Sequence, residues 1–151
     1  MEKNNSISNI KKYSPVLILV SIFSIFTGLM FFIMQTGKLF TPEEAEAEML
    51  KLPMGLFDWG YVWSDTIIAG PSLFIGGMLL IWGNKALGHL LVFTGFAINL
   101  YAMIFLFIGF NVVGSPIVGF DLYLNVIWTL LGMLCMVYCA RYIVIHTIQN
   151  N

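Results

Sequence analysis

The chain has 151 residues, of which 59% are hydrophobic and only 10% charged, with a mean hydropathy of +0.88. A soluble domain carries about 25% charged residues to keep its surface in water, so a soluble fold would have a greasy exterior, and the bilayer must be the solvent. The net charge of −1 comes without a clustered basic face, which argues against nucleic acid as a partner and leaves the lipid bilayer as the first one.

A helix needs about 20 mostly apolar residues to cross the hydrocarbon, and each backbone amide there must bond within its own segment. The first uncharged run, Pro15 to Met34, meets that length. It follows Lys11 and Lys12 like a signal sequence, but it exceeds an h-region of about 7–15 residues and no A-x-A site follows, so a retained anchor is expected. Next, Thr41-Pro42-Glu43-Glu44 reads as a helix start, with Thr41 as N-cap, Pro42 at N1 and Glu44 completing a capping box. This short outer helix is expected over about 42–52, before Pro53 and Gly55, with Met49, Leu50 and Leu52 on its apolar end. Its glutamates, Glu43, Glu44, Glu46 and Glu48, read as a solvated face, because E-x-E is not a metal-binding spacing.

Residues 57–65, with Trp59, Tyr61 and Trp63 interleaved with Asp58 and Asp65, allow two readings: an aromatic belt at the membrane–water interface, or the mouth of a pocket. The second span is expected over 66–82, with Pro71 producing a local kink. The short turn 83–86 then makes a tight antiparallel hairpin with a third span over 87–110. A fourth span follows over 122–140. None of these runs alternates with period two, so strands are not expected. The predicted fold is therefore all-α, a single domain over 1–151: an integral membrane four-helix bundle with a short amphipathic helix in its first outer loop.

Basic residues set the expected orientation. With both termini cytoplasmic, Lys3, Lys11, Lys12, Lys85 and Arg141 lie inside and only Lys38 and Lys51 outside, which obeys the positive-inside rule for a plasma-membrane protein. Small residues recur at helix-packing spacing: Ser21, Ser24 and Gly28; Thr66, Gly70 and Gly77; Ser72 and Gly76; Gly88, Gly95, Asn99, Ala102 and Gly109; Asp121, Asn125, Thr129 and Gly132. Each helix is thus expected to turn a small polar face inward. Asn99 lies near mid-span, a costly depth for an unpaired amide, while Asp65, Asp121 and Asn125 gather at the outer ends with Gln35 and Asn111. Two readings again stand: ordinary interhelical bonding and headgroup solvation, or a ligand-binding vestibule of Trp59, Trp63, Asp65, Asp121 and Asn125, floored by Asn99 and lidded by the outer helix.

The rest of the inventory is quiet. Cys135 and Cys139, i and i+4 near the inner end, read as reduced structural thiols, and their placement argues against a disulfide-generating oxidase. His89 and His146 read as interfacial residues, and the absence of paired histidines in the spans argues against bis-histidine haem. No catalytic set, no metal-ligand cluster and no named cofactor emerges. No span has an ionisable residue at mid-depth, which disfavours a proton- or cation-coupled transporter.

Two stretches resemble the DoxX-like group of small four-helix membrane proteins: Thr27-Gly28-Leu29 through Gly37-Lys38-Leu39-Phe40, and the glycine-rich Gly70-Pro71-Ser72-Leu73-Phe74-Ile75-Gly76-Gly77-Met78-Leu79-Leu80 with the short basic turn after it. The group's arginine ahead of the first span is absent here, and segment 57–65 is unlike the group's pattern. The resemblance implies a place beside respiratory or redox membrane complexes. The leading expectation is a non-catalytic accessory subunit or small-molecule-binding module with its working face outside, acting with a membrane-protein partner or as a homo-oligomer. A quinone- or redox-linked component, and a facilitator of a neutral or lipophilic solute, are the alternatives.

Overall fold

In the computed structural model, residues 14–50, 58–112 and 118–149 are described, apart from the side chains of residues 48, 58, 110, 111, 121 and 149. Among the described residues there is no strand. The elements are α1 (Pro15–Phe40), α2 (Pro42–Met49), α3 (Asp58–Ser64), a π-helical turn (Asp65–Ala69), α4 (Gly70–Trp82), α5 (Lys85–Val112) and α6 (Gly119–Gln149). Four helices are long and apolar enough to cross a membrane: Pro15–Phe40, Trp59–Trp82, Lys85–Gly109 and Leu122–Ile148. The chain is a multi-pass helical membrane protein.

Every span is longer than its apolar run. The 26 residues of α1 reach about 39 Å, against about 30 Å of hydrocarbon, so the helix is longer than a crossing needs by about two turns. The helix closes at Thr41, whose hydroxyl donates back to the Gly37 carbonyl (3.4 Å) while its own carbonyl accepts from the Ala45 amide (3.0 Å). Thr41 therefore serves as the hinge between two helices. Helix α2, expected to run to about Leu52, ends at Met49; Leu52 and Pro53 lie outside the described residues. It folds down as an amphipathic piece. Ala45 and Met49 are buried against Leu39, Trp59 and Val62, while Glu43, Glu44 and Glu46 stay exposed.

The largest departure from expectation is in the second span. Residues 58–64, expected as an interfacial segment, are helical and continue the crossing, so Trp59, Trp63 and Asp65 stand on a helix. The kink expected at Pro71 takes the form of a π turn. Proline lacks an N–H, and its ring presses on the carbonyl four residues back, so an α-helical ladder cannot run unbroken through position 71. One wider turn absorbs the conflict, with the Gly70 amide donating to the Asp65 carbonyl. The wider turn turns both Asp65 and Ala69 inward.

The spans pack in chain order, α1 on α4, α4 on α5 and α5 on α6, each pair antiparallel. Small residues set the spacing, as their stripes predicted. A Cβ on Gly28 would lie 2.7 Å from the Gly70 carbonyl oxygen, and one on Gly95 would lie 2.6 Å from Leu73 Cγ. Ser21 adds an interhelical bond, its hydroxyl donating to the Gly77 carbonyl at 2.6 Å. At the turn between α4 and α5, Asn84 caps α5 by accepting from the Leu87 amide (3.1 Å).

An aromatic core ties the layers together. Phe96 of α5 stacks on Phe23 of α1 at 5.5 Å, and Trp128 of α6 leans on Phe23 and Phe26. Burial is nevertheless uneven. Buried residues make up 39% of the most apolar stretch in each of the first two spans, 28% in the third and 17% in the fourth. Helix α6 is thus the outlying one, packed on α5 and touching α1 through Trp128.

Candidate functional site

The end of the bundle that carries α2 holds most of the expected candidates, but the fold distributes them over separate places. Trp59 is half-buried in the apolar seam beneath α2, where it packs with the Ala45, Met49 and Val62 cluster. Trp63, one turn on, is 52% exposed and faces outward. Helix α2 does cover this corner, as a lid was expected to do, although what it covers is apolar.

Asp65 is buried, and it meets α1. Gln35 Nε2 donates to Asp65 Oδ2 at 3.2 Å, an interhelical pair between residues 30 positions apart. The partner was at hand in the sequence, since Gln35 sits at the outer end of its span, but only the antiparallel register of α1 against the π turn selects it. Asn99 is buried on the inward face of α5 between Gly95 and Ala102. The side chain of Asp121 is outside the described residues.

Asn125 lies elsewhere again. It lines a groove of about 290 Å³ formed by α5 and α6 alone, with Met103, Ile104, Phe107 and Ile108 on one wall and Val126, Thr129 and Leu130 on the other. The amide of Asn125 and the hydroxyl of Thr129 are its polar side-chain groups; the rest is aliphatic or aromatic. A groove of this size, apolar with a few placed polar groups, suits a lipophilic ligand. It opens between two helices and not onto Asp65, so the expected single vestibule is divided. Asp65 belongs to the α1–α4 side of the bundle and Asn125 to the α5–α6 side.

The opposite end of the bundle holds residues that the sequence undersold. His89, expected at the interface, is fully buried and stacked face to face on Tyr142 at 3.6 Å. Tyr142 in turn stacks on His146 at 3.9 Å. The reason is the length of α6: it runs on through the expected tail and carries Tyr142 and His146 over the first turn of α5. His89 Nδ1 is 2.6 Å from the Lys85 carbonyl, which can only accept, so Nδ1 carries a proton and donates it, and Nε2 is buried without a partner among the described residues. Tyr142 at i−4 from His146 was a visible signal; its partner on α5 was not. Cys135 and Cys139 are free and buried, as expected of structural thiols.

Among the described residues no three His, Cys, Asp or Glu side chains converge on a possible metal position. No family model, no curated protein and no solved structure matches this chain.

Proposed function

We propose that this protein is a non-catalytic membrane module that binds a lipophilic molecule in the α5–α6 groove, with its working face on the outer side of the plasma membrane. The groove carries the reading: an apolar channel of about 290 Å³ whose side-chain hydrogen-bonding capacity is confined to Asn125 and Thr129. An apolar tail would lie along Ile104, Phe107 and Ile108, with a headgroup oxygen or N–H held at Asn125. A quinone fits this description, in keeping with the resemblance to the DoxX-like group. The accessory-subunit reading draws on the same side of the molecule, because α6 is the least covered span.

Trp128 lies one turn along α6 from Asn125, so its fluorescence reports on the neighbouring groove. Titration of the detergent-purified protein with decylubiquinone is expected to quench tryptophan emission saturably. Thr129→Phe, which fills the groove, is expected to raise the apparent Kd at least tenfold. Quenching that never saturates, or that is the same in both proteins, ends the proposal.

The orientation, with both termini cytoplasmic, is supported by the five basic residues on the inner side against two outside. Glu46 is exposed on α2, and the native Cys135 and Cys139 are buried. Glu46→Cys is therefore expected to react with an impermeant maleimide in intact cells. Labelling only after the cells are broken would reverse the orientation.

A further inference from the structure

The Gln35–Asp65 pair has chemistry that the groove does not use. Asp65 is 6% exposed, and while its Oδ2 accepts from Gln35, its Oδ1 is buried without a partner among the described residues. Gln35 Oε1, Thr36 Oγ1 and Thr66 Oγ1 share that condition. These four oxygens belong to two adjacent residues on α1 and two at the π turn, and the Gln35–Asp65 bond joins the two pairs. An amide oxygen and a carboxylate oxygen both only accept, so neither can satisfy the other. A proton or a small cation placed between them would satisfy both.

The neighbouring elements do not supply it. Lys38, one turn further along α1, acts on Asp65 through space, with no ammonium–carboxylate contact among the described residues. Helix α4 has no charged residue, and those of α5, Lys85 and His89, are at its inner end. Tyr61 is the titratable neighbour on α3, where the side chain of Asp58 is not described; on α2 the glutamates Glu43, Glu44 and Glu46 are exposed to solvent. A carboxylate this buried and without a touching counter-charge is costly to keep ionised.

We propose that Gln35, Thr36, Asp65 and Thr66 form a binding site for one small monovalent cation, Na⁺ or a hydron. An all-oxygen ligand set is hard-cation chemistry. A single carboxylate balances a single positive charge, so a monovalent ion leaves this buried site neutral, while a divalent ion would leave it charged. Na⁺ draws on all four oxygens. A hydron sits on Asp65 Oδ1 and donates to Gln35 Oε1, closing a two-bond acid–amide ring with the existing Gln35 Nε2 to Asp65 Oδ2 bond. The π turn is what makes the site: it brings Asp65 inward against α1, next to the break in the backbone ladder at Pro71.

The test is the melting temperature of the full chain in detergent, in sodium chloride against choline chloride at equal ionic strength, and then on acidification at fixed salt. Asp65→Asn keeps the size of the side chain and a hydrogen bond to Gln35, and removes the charge. A sodium-specific rise of about 5–10 °C at a hundredfold excess over Kd, lost in Asp65→Asn, identifies Na⁺. No sodium effect, but a rise on acidification that is lost in Asp65→Asn, identifies the hydron. Responses that are absent, or equal in the two proteins, overturn the proposal and leave only water in the pocket. Should Asp65→Asn not fold, Gln35→Leu is read in its place: a sodium effect is expected to be lost with the amide oxygen, whereas a rise on acidification is expected to remain, because Asp65 still takes up the proton, and its disappearance overturns the hydron.

Discussion

Gly28→Ala is expected to destabilise the protein by about 2–3 kcal/mol, the upper part of the usual range for overpacking a core. The added Cβ would lie 2.5 Å from Phe74 N and 2.7 Å from the Gly70 carbonyl oxygen, both of them main-chain atoms. A flexible side chain can swing aside, but a helix backbone cannot, so α1 and α4 would have to separate along their whole seam. That separation also stretches the Ser21 bond to Gly77 and the Gln35 bond to Asp65. Gly28→Leu should leave no monodisperse folded protein. Gly37→Ala is the internal control. It sits on the same helix with no atom within 4 Å of the new methyl, and alanine favours a helix over glycine by about 1 kcal/mol, so it should be neutral or mildly stabilising. Thermal melts followed by size-exclusion recovery in detergent would decide it. Equal recovery of Gly28→Ala and Gly37→Ala would refute the backbone contact.

Phe96→Ala is the second large effect, at about 3 kcal/mol, or about 6–10 °C in Tm. The ring is 1% exposed, stacks on Phe23 at 10° interplanar angle and touches the space over Gly132. In a soluble protein part of such a cost is transfer to water. Here lipid tails are as apolar as the core, so that part largely vanishes, and the loss is of packing and of the cavity left behind. This places the cost at the lower end of the range for phenylalanine truncations. Because Phe96 joins α5 to α1 and underlies α6, the damage should spread: Trp128 emission should shift towards that of a solvated or lipid-exposed indole. Phe96→Leu, which fills much of the same volume, should cost about 1 kcal/mol. A Phe96→Ala protein melting within a degree or two of wild type would show that the aromatic core does not hold the layers together.

The His89–Tyr142–His146 stack at one end of the bundle and the Gln35–Asp65 pair at the other have a common origin. Both arise where a helix runs past its apolar segment. Hydrophobic length ends α6 near Ala140 and starts the second span near Thr66, whereas the helices themselves run on to Gln149 and back to Asp58. Backbone hydrogen bonding favours continuing a helix already begun, since each further residue adds a bond for one residue fixed. The polar residues on those extra turns then meet partners on the neighbouring helix, instead of lying in the headgroup layer one at a time.

The sequence by itself determined the solvent, the number of crossings, the all-helical class and the small-residue seams. Hydropathy belongs to each residue regardless of its neighbours, and a glycine at helical spacing marks a close approach whichever helix arrives. Gly28, Gly70, Gly77 and Gly95 were readable for that reason. Only the tertiary structure decided which polar groups meet. Asp65 chose Gln35 and not Asn125 because the α1–α4 register places residue 35 opposite residue 65, while α5 stands between Asp65 and the Asn125 groove. A register is set by the sum of contacts along an entire seam, between residues dozens of positions apart, and no local pattern contains that sum.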